Sequence, residues 1–156
     1  MAQASLCGKI KCELDVKISD EEFYNIYSRR MYEMAKISPK IIRSAELLKG
    51  QWGEEGSIIY WNYNLDGKHS TAKEETEVID DKTKTIIYKV IEGELLEYYR
   101  AIKCIVQVTP KEDKNGCLVN CSFEYEKMNE NIPDPDALLH AFTRIAKDVE
   151  AYLAKA

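Results

Sequence analysis

Long uncharged runs are missing from this 156-residue chain. The longest, Gly56–Leu65, has ten residues, against roughly 20 for a membrane-spanning helix, so no membrane span is expected. Basic residues are not in excess either: 22 Lys and Arg face 27 Asp and Glu, a net charge of −5. Nucleic-acid binding rests on neutralising phosphates, and no basic cluster reverses the deficit, so no nucleic-acid partner is expected. Histidine is scarce, with only His69 and His140. Among Cys7, Cys12, Cys104, Cys117 and Cys121 there is no CxxC pair and no His at metal-ligand spacing. Neither a metal nor any other cofactor is therefore expected. The odd number of cysteines fits a reducing compartment, where a thiol in a strand acts as a small hydrophobe. No basic segment precedes an apolar run at the start of the chain, the mark of a secretory signal, so a cytoplasmic location is the expectation. Internal repeats, low-complexity tracts and linkers are also lacking, which leaves a single domain over residues 1–156.

What the chain does have is alternation. From Leu6 to Ile18, apolar or small residues fall on one parity, and Lys9, Lys11, Glu13, Asp15 and Lys17 fall on the other. That pattern predicts a long strand with one dry face. Ser19-Asp20-Glu21-Glu22 is a capping box. Phe23, Ile26 and Tyr27 then mark one short helix and Met31, Met34 and Ala35 a second, ended by Ser38-Pro39. Strands follow over Ile41–Leu48, Ser57–Leu65, His69–Ile79, Thr85–Ile91, Leu95–Thr109 and Cys117–Glu126. Short turns such as Asp66-Gly67 join them, so the pattern is an antiparallel meander.

Beyond Pro133-Asp134-Pro135 the period changes. Leu138, Ala141, Phe142, Ile145 and Val149 recur at three and four, marking one amphipathic helix of about five turns. The fold class is α+β: a seven-stranded, strongly curved antiparallel sheet wrapped around a long C-terminal helix, so that each buries its apolar side against the other. Ten tyrosines add a hint about the interior, because a buried phenol needs a partner and suits a wet or ligand-filled cavity better than a dry core.

Six stretches in register resemble plant major latex proteins of the Bet v I superfamily. They are Lys49-Gly50-Gln51-Trp52-Gly53-Glu54-Glu55-Gly56, Ser57-Ile58-Ile59-Tyr60-Trp61-Asn62-Tyr63, Ala72-Lys73-Glu74-Glu75, Val90-Ile91-Glu92-Gly93, Glu124-Tyr125-Glu126-Lys127 and Asp134-Pro135. The resemblance covers essentially the whole chain. It implies a helix-grip fold, with two short helices closing a large apolar cavity, and a protein that binds, transports or stores small hydrophobic plant metabolites of sterol, lipid, hormone or alkaloid type in defence or stress. The partner expected is one small hydrophobic molecule, and the chain is expected to be a monomer or weak dimer. The glycine-rich stretch does not cradle phosphate, since no Gly-Lys-Ser/Thr follows it; a tight turn with positive φ accounts for it.

Strand parity, set in register by those landmarks, places Ile59, Trp61 and Tyr63 on the cavity wall from one strand, and Ile86, Tyr88 and Val90 from another. Ile102, then Val119, Cys121 and Phe123 on the last strand, continue the wall, and Leu138, Ala141, Phe142 and Ile145 close it from the helix. The alternative function is a cofactor-independent isomerase or cyclase of alkaloid-type biosynthesis, using acid–base groups in the cavity. Its candidates are His69, Lys73 and Glu75, which share a parity and so a face. The opposite parity of that strand is the more apolar, so these three would then face water. The lysine of the superfamily's condensing enzyme corresponds to Asn120, which cannot act as an acid or base. No abscisic-acid receptor gate or latch is present, and His69 and His140 lie too far apart in the pattern to cleave RNA together.

Overall fold

The alternation at the start of the chain becomes strand β1 (Cys7–Val16). Its end is marked by Ser19, whose side chain accepts a hydrogen bond from the Glu22 amide at 3.2 Å and caps helix α1 (Asp20–Arg29). A 3-10 turn (Met31–Glu33) leads into helix α2 (Met34–Ile37). Then come β2 (Ile42–Lys49), β3 (Ile58–Leu65), β4 (Lys68–Asp80), β5 (Thr85–Gly93), β6 (Tyr99–Pro110) and β7 (Cys117–Lys127), and finally α3 (Asp136–Ala154). These elements belong to a computed structural model that describes residues 5–112 and 115–155. The start of the chain and two residues of the polar loop before β7 lie outside the described residues.

All pairings are antiparallel, in the order β1-β7-β6-β5-β4-β3-β2. The sheet curls around α3, while α1 packs on α3 and β6, and α2 on β2 and α3. One expected strand is shorter than its sequence: the run from Leu95 enters the sheet only at Tyr99. Glu94–Glu97 forms a 3-10 turn instead. The cause is Gly93, at φ 134°, where a Cβ would come within 2.6 Å of the Thr71 carbonyl oxygen. The chain must turn there, and the turn carries Leu95 inward.

The meander gives the sheet two unlike ends. At the closed end, α1 is pinned to the β4–β5 turn by Asp81, which takes hydrogen bonds from Tyr24 Oη (2.7 Å) and from both terminal nitrogens of Arg29 (2.8 and 3.1 Å). The glycine-rich turn docks there too: Gly53, at φ 85°, lies so close that a Cβ would meet the Arg29 side chain at 2.8 Å. Phe23, Ile26, Val119 and Val149 are fully buried, so the core is solid. At the open end, the β3–β4 turn, the 3-10 turn and the segment before α3 face one another. Pairing between β5 and β6 runs only from Thr85/Gln107 to Lys89/Lys103. Beyond it β5 keeps company with β4, and β6 with β7.

Candidate binding cavity

Between the solid end and the open end lies an internal cavity of about 160 Å³. The period-two strands bring Trp61 and Tyr63 to it from β3, Tyr88 and Val90 from β5, Ile102 from β6 and Phe123 from β7. From α3 it receives Leu138, Ala141, Phe142 and Ile145. These are the inward positions of the alternating and three-and-four patterns. Ile59, Ile86, Val119 and Cys121 also point inward and are buried, but they do not reach the cavity. They sit in the packed layer towards the closed end, and the Cys121 and Cys104 sulfurs touch at 3.9 Å.

Strand parity does not reveal the contributions of the short helices: Tyr27, Met31 and Met34 fill part of the interior from above. They and the aromatic walls make the cavity much smaller than the large one the resemblance implies. An apolar cavity of ~150 Å³ holds a single aromatic ring. A second cavity of about 420 Å³ opens at the other side of Tyr63, Leu65, Leu95 and Leu138, the four residues that line both. Its rim is polar, with Asp66, Lys68, Glu94 and Asp134 among its residues.

The sequence candidates for acid–base chemistry are on the wrong face. His69 is exposed and hydrogen-bonds Asn62 at 3.0 Å, Lys73 pairs with Glu92 at 2.7 Å on the outer surface, and neither they nor Glu75 line the cavity. The strand turns Ala72, Glu74 and Thr76 inward, and the carboxyl that enters the cavity is Glu74. Its nearest cross-strand partners are Ile59 and Val90, neither of which can pair with it. Glu74 makes none of the ion pairs among the described residues. It lines the cavity, and loss of solvent there pushes its pKa up to about 7. The neighbouring Trp61 N–H favours the ionised form and offsets part of that rise, without the geometry of a formed hydrogen bond.

Three buried polar hydrogens in the wall, those of Tyr27 Oη, Trp61 Nε1 and Tyr63 Oη, lack a partner in hydrogen-bond geometry, although Glu74 lies beside Trp61 and Ser70 beside Tyr63. Other tyrosines are satisfied within the protein. Tyr88 Oη donates to the Tyr27 carbonyl, Tyr99 Oη to the Pro133 carbonyl at 2.7 Å and Tyr125 Oη to Asp134 at 2.6 Å. A buried donor left unpaired carries a penalty of ~1–3 kcal/mol, so three of them around one apolar space mark where a ligand's polar atoms would be stabilised. Among the described residues no cluster of His, Cys, Asp or Glu is placed to hold a metal. No described helix is long and apolar enough to cross a membrane.

A curved sheet gripping a helix, with an apolar cavity between them, defines a class of fold, and the comparisons with known proteins place the chain within it. The profile of the Pathogenesis-related protein Bet v 1 family matches residues 5–156, and the chain belongs to that family. It is similar to MLP-like protein 43 of Arabidopsis thaliana, at 36% identity over 98% of each chain. Major latex protein 146 of Papaver somniferum is 31% identical, over 96% of this chain and 93% of that one. The crystal structure of ginseng major latex-like protein 151 from Panax ginseng superposes with a TM-score of 0.90 at 34% identity, over 94% of this chain and 97% of that one.

Proposed function

We propose that the protein binds one small apolar molecule in the paired cavities and serves as a cytoplasmic carrier or receptor in plant defence or stress. The observation that carries this reading is the set of unpartnered hydrogens of Tyr27, Trp61 and Tyr63 around an apolar space. A dry structural core has no use for them, and a ligand with polar atoms satisfies them. Volume shapes the ligand. The inner cavity takes about one ring, so anything of sterol size must pass the Tyr63–Leu138 neck and occupy the outer cavity as well. Mass spectrometry of compounds that co-purify from the native tissue tests the reading: a recurrent one-to-one apolar compound supports it, and protein consistently empty at native concentration overturns it.

One observation favours the second reading, a cofactor-independent isomerase or cyclase. Glu74, with a pKa near 7 inside the cavity, has the proton affinity that a general acid or base needs. Recovery of the bound compound chemically unchanged after prolonged incubation decides for the carrier.

A further inference from the structure

We infer that the inner cavity selects small apolar molecules bearing one protonated amine, with the Glu74 carboxylate as counter-ion and the surrounding aromatic rings as its cage. The inference rests on the binding role proposed above and names the ligand's chemistry. An apolar molecule with no polar group would leave Glu74 facing hydrocarbon, a cost escaped only by taking up a proton. An anion would meet Glu74 inside, and outside a mouth carrying Asp66 and Glu94 against Lys68, with Asp134 already paired to Lys127. An ammonium group meets the opposite: a mouth of favourable sign, then a carboxylate with no ion pair of its own.

The groups that face Glu74 fit a cation. Trp61 and Tyr63 from β3 and Tyr88 from β5 lie close enough to interact with Glu74, and Tyr27 from α1 lines the same cavity; aromatic rings attract positive charge. From β6 come Cys104 and Lys103, and the ammonium of Lys103 is turned to Glu77 on β4, 3.8 Å away. The wall from α3 (Leu138, Ala141, Phe142 and Ile145) brings no charge. A carboxylate has about four acceptor sites, so Glu74 can take both the Trp61 N–H and an ammonium N–H. The Tyr27 and Tyr63 hydroxyls can accept from the remaining ammonium hydrogens, and their own hydrogens are satisfied only by an acceptor elsewhere on the ligand, since an ammonium has none. The inner volume suits an amine on a single ring.

Calorimetric titration at pH 8 with 2-phenylethylamine and with its neutral isostere 2-phenylethanol tests this, using wild type and Glu74→Gln, with the larger neutral dye Nile red, which needs the outer cavity as well, as a probe of the paired cavities. The amine is expected to bind the wild type at least about tenfold more tightly than the alcohol, and no more tightly than the alcohol in Glu74→Gln, where its charge has no counter-ion. In wild type the preference should shrink at pH 6, as Glu74 takes up a proton, while the amine stays charged. That pH series needs no variant, so it stands even if Glu74→Gln folds poorly. Amine and alcohol binding alike to wild type while Nile red still binds would overturn the amine selectivity and leave the carrier reading intact. An amine preference kept in Glu74→Gln would move the selectivity to the acidic mouth and overturn the role of Glu74. Failure of Nile red, amine and alcohol to bind at all would overturn the carrier reading itself.

Discussion

A carboxyl held in an apolar cavity makes folding depend on pH. Glu74 has an ordinary pKa of 4.5 when the chain is unfolded and one of about 7 when it is folded. Below pH 4.5 both states are protonated and the site costs nothing. As pH rises through this window the unfolded chain releases its proton first, so stability falls until both states are ionised. The Glu74→Gln variant should therefore be more stable than wild type by about 2–3 kcal/mol at pH 8, and no more stable at pH 4. Urea unfolding at the two pH values checks this. Asp81 works with the opposite sign. Hydrogen bonds from Arg29 and then Tyr24 hold its carboxyl below the usual range, so what it contributes is present at neutral pH and lost in acid. Being largely exposed, it contributes no more than about 1 kcal/mol, and it cancels in the comparison because both proteins carry it.

The elements divide into those that pack and those that border empty space, and equal substitutions should separate them. Ile86 is fully buried and does not reach the cavity, whereas Ile145 lines it. Ile86→Ala should cost about 3–4 kcal/mol, in the range of core truncations. Ile145→Ala, which enlarges a space already present, should cost about 1–2 kcal/mol. Thermal or denaturant unfolding of the pair measures the difference. A second element-scale test concerns the exit from β5. At Gly93 a methyl group would strike the backbone of Thr71 and Ala72, so Gly93→Ala should destabilise by at least about 1 kcal/mol, with a loss of probe binding as Leu95 moves.

The strands were readable from the chain because alternation with period two survives in β1, β3, β5 and β7. Trp61, Tyr88 and Phe123 stand where that alternation puts them. The more apolar parity of β4 carries Glu74 inward with Ala72, Thr76 and Val78, but the rule that charge faces water pulls against parity at that one position, so the cavity's acid was not singled out. Register shifts at Lys73/Glu74 and Thr76/Val78 further blur parity on β4. Whether an inward residue meets a void or a neighbour depends on what the short helices insert, which is why Ile59, Ile86, Val119 and Cys121 are core and Tyr27 is wall. The motifs Glu124-Tyr125-Glu126-Lys127 and Asp134-Pro135, far apart in meaning as sequence, are one contact in space. Tyr125 and Lys127 both hold the Asp134 carboxylate, at 2.6 and 3.0 Å, fixing the approach to α3.

At the scale of the whole molecule, stability should be graded from end to end. The closed end combines buried side chains with the Asp81 clasp, whereas the open end consists of turns flanking two cavities. Backbone amides at residues 66–68, 94–98 and 129–135 should exchange with solvent faster than those in the centres of β6 and β7. Hydrogen exchange read by mass spectrometry checks this, and a bound ligand should slow the open end alone.

The four residues shared by the two cavities set a clock as well as a boundary. A molecule that leaves the inner chamber by way of the outer one must pass Tyr63, Leu65, Leu95 and Leu138, so the ease with which they part bears on how long it stays, while the other chamber walls bear on how tightly it is held. The two quantities can then be tuned separately, unlike in an open groove, where residence and affinity move together. Replacing Leu95 by Trp should slow both loading and release, with a smaller change in the dissociation constant than in either rate, as stopped-flow mixing with the single-ring probe 2-phenylethanol, read by intrinsic fluorescence, would show.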